Sequence, residues 1–369
     1  MKVSYYKIGK EFSRVKKSYL NRLKLIFARG DFINSKSNFL FEKKISNLLK
    51  VKYTCGVANG SDALEVGMLA LGIKKGDEVI TAANSWVSSL TSIINIGAKP
   101  ILVDVDDDFN IDCKMLKKAI TRKTKAIMPV HLNGLPANMS EIMKISKKYK
   151  IKVVEDSAQA ILSKINNKYA GTIGHIGCFS MHPTKNLGVA GDGGFIVTNN
   201  KNFFDRMKLI SNHGMNKKGY SIITGRNSRL DGIQAELILH KLKYLKKDIQ
   251  RMRKISELYS KELKNFVVTP KIKNNSNIFH TYHRYVIILK NKKERNNLKN
   301  FLSANNIETK IHYQIPLHKY KCFSKYSYQK KLIKSETQSD TMLSLPCNQF
   351  MTDVEANYII KKIKGFIIK

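Results

Sequence analysis

The sequence is short of acidic residues. It sets 28 aspartates and glutamates against 66 lysines and arginines, a formal net charge of +38 over 369 residues. Tryptophan occurs once, as Trp86, and cysteine five times. No apolar run reaches the ~18 residues that a membrane span needs. The opening MKVSYYKIGKEFSRVKKSYL has neither the apolar core nor the small-residue cleavage site of a secretory signal. Cys55, Cys113, Cys178, Cys322 and Cys347 are scattered and never form a C-x-x-C pair, which argues against a zinc site and for a reducing cytoplasm. The positive charge invites a nucleic-acid or membrane-surface reading. Its distribution argues against one. Basic residues run throughout, as in SKKYKIK (146–152) and KNKKERNNLK (290–299), with no basic tail and no stripe interleaved with aromatics. Lys, Asn and Ile are all abundant, as AT-rich codons produce. The charge is read as compositional bias, with no nucleic-acid or membrane partner implied, although such a field still steers anionic substrates inward.

With 43% hydrophobic residues, the chain is long enough for one large domain and a smaller one. From residue 51 it alternates between short apolar runs and helical patterns. VKYTCGV (51–57), DEVITA (77–82), KPILVDV (99–105), TKAIMPV (124–130) and IKVVED (151–156) read as strands. Between them, 61–73, the stretch from Trp86, 112–120 and 138–149 read as helices. This alternation predicts an α/β fold, a mostly parallel sheet with helices on both faces. Around 174–181 and 194–198 the strands crowd together with glycine loops between them, which predicts a locally antiparallel segment. The stretch 230–263 predicts two helices bridging the domains. HRYVIILK (283–290) and TKIHY (309–313) read as strands, 291–306 and 353–364 as helices, together a smaller α+β domain. The expected division is 1–248 and 249–369.

Three polar clusters fall at strand ends, where open parallel sheets bind ligands. In ANGSDAL (58–64), Gly60 permits close approach of a ligand, Ser61 is a candidate N-cap, and a helix start offers free N–H groups to an anion; an ordinary turn and cap read the same way. In VVEDSAQA (153–160), Asp156 is placed to hold a protonated ring nitrogen or to cap a helix, with Gln159 three residues on. In SMHPTKNLGVAGDGG (180–194), Ser180 ends a strand and Lys185 precedes Gly188, Gly191, Gly193 and Gly194. A lysine there either holds a phosphate or does covalent chemistry. Pyridoxal phosphate needs the combination: a Schiff-base lysine, an acid opposite the pyridine nitrogen, a phosphate cup and an aromatic plate. Trp86, at another strand end, is a candidate plate or a core tryptophan.

In order along the chain, GVANGSDAL, NSWVSSLTSI, PVHLNG, VVEDSAQA, CFSMHPTKNLGVAGDGG, GRNSRLDGIQAEL and IHYQIPLH resemble the DegT/StrS-like nucleotide-sugar aminotransferases, within the fold-type I pyridoxal-phosphate enzymes. The resemblance covers the chain from about Phe32 onward. It implies that Lys185 carries the cofactor as a Schiff base, Asp156 pairs with the pyridine nitrogen, Gln159 contacts the ring hydroxyl and Trp86 stacks on the ring. Gly60, Ser61 and Ser180 would bind the phosphate. Asn227 would reach the phosphate of the neighbouring subunit, making the active unit a homodimer with shared sites, with Arg229 beside it. His182, His312, Tyr313 and His318 would lie near the sugar-nucleotide pocket. The implied reaction moves an amino group, from L-glutamate by family analogy, to a nucleotide-linked keto sugar for a surface glycan such as an O-antigen. Two positions depart from the family: Asn133 stands where an aromatic is common, and His182 where tyrosine is. A sister group of sugar dehydratases replaces the Schiff-base lysine with histidine; the presence of Lys185 argues for transamination.

Overall fold

The computed structural model describes residues 1–270, 277–329 and 331–368. Helices α1 (Ile8–Arg29) and α2 (Lys36–Leu49) come first. Then β1 (Tyr53–Val57), α3 (Gly60–Ala70), β2 (Glu78–Ala82), α4 (Ser88–Asn95), β3 (Lys99–Val103), α5 (Cys113–Lys118), β4 (Thr124–Met128), α6 (Met139–Tyr149) and β5 (Lys152–Asp156) alternate. A short hairpin, β6 (Lys164–Ile165) and β7 (Lys168–Tyr169), leads to β8 (Ile176–Ser180) and β9 (Gly194–Thr198). Helices α7 (Lys201–Ser211), α8 (Gly232–Lys241) and α9 (Leu245–Leu263) follow. The remainder comprises β10 (Ile278–Phe279), β11 (Tyr285–Ile288), α10 (Lys292–Ala304), α11 (Ile333–Thr341), β12 (Met342–Leu345) and α12 (Asp353–Ile367).

Seven strands form one sheet in the order β1-β9-β8-β5-β4-β2-β3. The pairs β5–β8, β4–β5, β2–β4 and β2–β3 are parallel, and β9 alone runs against its neighbours β1 and β8. That is the locally antiparallel segment expected from the crowded strands. The carboxyl ends of the other six strands therefore open on one edge. β2 and β9 are buried at every position, as in a sheet covered by helices on both faces.

β5 ends in two carboxylates that point apart, because side chains alternate along a strand. Glu155 is fully buried. It accepts hydrogen bonds from the backbone N–H groups of Gly171 (2.8 Å), Ile173 (2.7 Å) and Gly174 (2.5 Å), and from His131 Nε2 (2.9 Å). His131 Nδ1 accepts from the Ala137 N–H at 3.0 Å, so the ring is neutral with its proton on Nε2. The turn held this way leads directly into β8. A Cβ on Gly177 would lie 1.9 Å from the Gly171 carbonyl oxygen, so β8 tolerates no side chain where it meets that turn.

The structure departs from the sequence expectations in four places. Helices α1 and α2 precede the alternation that starts at residue 51, in a stretch for which the sequence reading predicts no element. The helix expected to open at Trp86 begins at Ser88. TKIHY is not a strand: it makes a single bridge, Lys310 to Ser344, and the partner of β11 is β12, whose MLSL is buried at every position. Strand pairing favours the run that is buried on both faces over one that carries a charged lysine and two cleft-lining aromatics. Finally, Val3 packs with Met252, Ile255, Tyr259 and Leu345, and its backbone bonds to Asn306 (2.8 Å) and Glu308 (3.0 Å). The first residues thus join the C-terminal core, against the expected 1–248 unit. The 248/249 split falls inside α9, whose Leu245 and Ile249 pack with the large sheet while Met252 onward packs with the C-terminal part.

Glu155→Gln replaces one acceptor oxygen with a donor facing backbone N–H groups. It should cost about 3 kcal/mol of stability, measured by urea unfolding. A wild-type midpoint would show that this carboxylate does not hold the turn.

Candidate active site

The first strand end builds an anion site. Asn59, not Ser61 as expected, is the N-cap of α3: its Oδ1 accepts from the Asp62 N–H at 2.8 Å. A free side-chain acceptor one residue ahead of the first helical N–H wins that role. Gly60 and Ser61 become the first two helical residues, and their N–H groups make no hydrogen bond within the described residues. A Cβ on Gly60 would sit 2.7 Å from the Ser180 Cβ, so glycine lets the helix start close on the end of β8. Ser61 Oγ donates to Ser88 Oγ at 2.9 Å, and Ser180 Oγ accepts from the His182 N–H at 3.3 Å.

Asp156 is buried, and no ion pair to it forms among the described residues. Ser89 Oγ donates to its Oδ2 at 2.8 Å, and Ser85 Oγ lies 2.8 Å behind Ser89 Oγ. The Ala158 N–H donates to Oδ1 at 3.2 Å. Gln159 Oε1 accepts from the Asn133 N–H at 2.9 Å, and its Nε2 donates to Tyr313 Oη at 3.2 Å. Trp86 is 56% exposed, which removes the core-tryptophan reading, and its ring centroid lies 5.7 Å from that of Tyr313.

Lys185 sits in the turn after β8, where its N–H bonds to the His182 carbonyl at 2.8 Å and Val189 N–H to the Met181 carbonyl at 2.7 Å. Protein surrounds the amine, but one flank of the side chain stays accessible. Burial first and the Arg284 charge second lower its pKa to about 7, with Asp156 opposing the shift. Above that pH the amine is neutral and nucleophilic.

Sequence reasoning missed several residues of this cleft. His283 Nδ1 donates to Asn186 Oδ1 at 2.7 Å, next to Lys185. Arg284 Nη1 donates to Tyr313 Oη at 3.1 Å. Both belong to HRYVIILK, read wholly as a strand, whereas the strand begins at Tyr285. Ser89 was one of several serines in a helical pattern, and no local signal tied it to Asp156.

The other expected residues are dispersed. His182 is exposed and faces Thr184 Oγ1 at 3.0 Å. His312 meets Ser344 Oγ at 2.9 Å and is kept neutral, its pKa lowered to about 2 by burial first and then by Arg284 and Lys310. His318 is buried and bound to Glu336 at 3.0 Å. Asn227 is exposed in an isolated bridge with Asn212, and Arg229 Nη1 donates to Asn212 Oδ1 at 3.2 Å. Neither shares a hydrogen bond with the Lys185 cluster.

These groups fit pyridoxal phosphate: an amine with its pKa lowered to about 7, a buried carboxylate without a counter-ion, two free helix N–H groups beside a serine, and an exposed indole. Among the described residues no cluster of His, Cys, Asp or Glu is placed to hold a metal ion, and no helix is long and apolar enough to cross a membrane. In cofactor-free protein, trapping of an aldehyde on Lys185 by borohydride should rise with pH through about 7 and level off two units higher, whereas surface lysines keep gaining toward ~10.4. Peptide mapping across a pH series checks this; a Lys185 profile that follows the surface lysines contradicts it.

The DegT/DnrJ/EryC1/StrS aminotransferase family model matches residues 14–364. The chain is 37% identical over 328 residues to a dTDP-3-amino-3,6-dideoxy-alpha-D-galactopyranose transaminase of Aneurinibacillus thermoaerophilus, covering 88% of this chain and 89% of that one. It is 35% identical over 372 residues to a Geobacillus stearothermophilus protein named pleiotropic regulatory protein, covering 99% of each. The solved structure of NtdA from Bacillus subtilis with bound cofactor PMP matches with a TM-score of 0.92 at 29% identity, covering 100% of this chain and 86% of that one. The match spans both the sheet that carries the strand-end clusters and the C-terminal part that closes over them, so the chain belongs to the DegT/DnrJ/EryC1/StrS aminotransferase family, pyridoxal-phosphate enzymes of the α/β fold-type I.

Proposed function

We propose that this protein transfers an amino group from an amino acid, L-glutamate, to the keto group of a nucleotide-diphosphate-linked deoxysugar, in amino-sugar synthesis for a surface glycan. The observation that carries the reading is Lys185, a lysine whose pKa is lowered to about 7 and which lies within electrostatic reach of the buried Asp156. The relative named as a dTDP-amino-sugar transaminase supports the substrate class.

When bound, pyridoxal phosphate supplies an electron sink for the carbon that gains or loses the amine. The chain's residues do the rest. Gly60 and Ser61 N–H groups and Ser180 Oγ would hold the phosphate at the start of α3, where the helix dipole favours an anion. Asp156 would keep a proton on the ring nitrogen, and the Ser85–Ser89 chain holds that carboxylate in place. Gln159 would meet the ring hydroxyl, and Trp86 would cover the ring face. Lys185 Nζ takes a proton from the donor's α-carbon in one half-reaction and delivers a proton to the sugar's keto carbon in the other. His182, Arg229, His312, Tyr313 and His318 are the candidates for the sugar-nucleotide side. The two substrates use one site in turn, so the kinetics are ping-pong.

Enzyme loaded with cofactor and given L-glutamate should release one 2-oxoglutarate per site, and 3-keto and 4-keto sugar nucleotides offered next should regain the nitrogen. Absence of 2-oxoglutarate, or a dehydrated sugar without nitrogen, contradicts the reading.

We further propose a homodimer with shared sites. Asn227 and Arg229 lie on the segment 212–229, whose Tyr220 and Ile222 are 67% and 58% exposed, as a surface awaiting a second copy would be. Mixing inactive Asn227→Ala and Lys185→Ala variants gives heterodimers in which one site carries both changes and the other neither. After random reassortment, roughly a quarter of wild-type activity should return. No recovery in a sample shown to contain heterodimers means that Asn227 serves its own subunit.

A further inference from the structure

Arg284 is the one cation of this cleft without a counter-charge among the described residues. Its side chain is buried, and its Nε is a buried donor with no partner. Other buried cations have further partners: Lys241 meets Glu11 at 2.6 Å, and Arg295, whose Nε is likewise a buried donor without a partner, gives Nη1 to the Ser339 and Met342 carbonyls. Arg284 has only tyrosines: Tyr313 takes Nη1 at 3.1 Å and lays its ring 5.1 Å from the guanidinium carbon, and the Tyr6 hydroxyl lies within hydrogen-bonding reach. Tyrosine is no counter-ion at neutral pH. Burial lowers the Arg284 pKa, but the surrounding Tyr313 and Tyr5 hydroxyls more than offset this, so the group stays charged. A buried guanidinium left unpaired is strongly unfavourable unless an anion arrives.

Its neighbours place it at the reacting end of the cleft. The Arg284 N–H donates to the Asn133 carbonyl at 3.3 Å. Tyr313, its partner, is also held by Gln159 at 3.2 Å. The preceding residue, His283, grips Asn186 beside Lys185. Guanidinium also matches a carboxylate edge to edge, through two parallel N–H bonds. We infer that Arg284 receives the α-carboxylate of the amino-acid donor. Of the two substrates, only the amino acid is bound to carry a carboxylate one bond from the carbon whose amine is exchanged at Lys185. The diphosphate of a sugar nucleotide is separated from the keto carbon by ring atoms and the glycosidic oxygen. Arg284 also lowers the Lys185 pKa, as a close cation must. The inference rests on the transamination reading above.

The experiment compares wild type with Arg284→Gln and Arg284→Lys, all loaded with cofactor. Removing an unpaired buried charge relieves a cost, so Arg284→Gln should fold and melt no lower than wild type. Arg284→Lys keeps the charge and loses the fork, and tests the point should the first variant fail to fold. Glutarate, a dicarboxylate without an amine, is titrated by calorimetry. It should bind Arg284→Gln at least about tenfold more weakly than wild type, with Arg284→Lys between them. In the glutamate half-reaction, KM should rise by about the same factor while the limiting rate changes little. Unchanged glutarate affinity and glutamate KM overturn the inference, as does a loss confined to the sugar-nucleotide half-reaction. If wild type releases no 2-oxoglutarate, the transamination reading fails instead, and the glutarate titration still decides whether Arg284 takes a carboxylate.

Discussion

The buried carboxylate of Glu155 sets the geometry on which the site depends. It gathers three backbone N–H groups from 171–174 and the His131 imidazole at the end of β5. Those residues form the turn that feeds β8, and β8 delivers Ser180 and then Lys185. The next residue after Glu155 is Asp156, turned to the opposite face. One side chain therefore fixes both the strand end that holds the carboxylate of the site and the path of the chain that carries its lysine. A charge so deeply enclosed is tolerable because every partner is a donor with nowhere else to bond.

On the other face of β5 the balance is reversed. Asp156 is buried with Ser89 Oγ and the Ala158 N–H as donors, and its charge acts on Lys185. Burial and the guanidinium together outweigh the attraction of Asp156 and bring the lysine's pKa down to about 7. The overall excess of lysine and arginine contributes a field that draws anions toward the protein. The chemistry depends on something more local: two basic groups, Lys185 and Arg284, enclosed with one acidic group, Asp156.

The C-terminal part closes the cleft with short, irregular segments. Thr281 and Arg284 N–H groups bond to the Gly134 and Asn133 carbonyls at 3.1 and 3.3 Å, which docks 281–284 onto the large sheet's loop. Tyr313 then joins Gln159, Arg284 and Trp86 in one contact network. Parts of the chain more than 150 residues apart in sequence meet here, as Gln159 and Tyr313 do. The N-terminal residues, pinned to 306–308, travel with this same part.

What the sequence determined by itself was whatever local physics encodes. The period-2 and helical patterns from residue 51, the glycines around Lys185 and the polar clusters at strand ends were legible, because each depends on residues close in sequence. They were enough to name Lys185, Asp156, Gln159, Trp86, Gly60, Ser61 and Ser180, which the fold brings to one edge of the sheet. The cap of α3 was misread by two residues, since Asn59 and Ser61 are both good caps and only the backbone path chooses between them. The loss of TKIHY as a strand, the capture of Val3 by the C-terminal core, the grip of Ser89 on Asp156 and the isolation of Arg284 were decided by tertiary structure. Each is a contact between distant segments, where the outcome depends on which competing partner lies within reach, and a linear pattern carries no record of that distance.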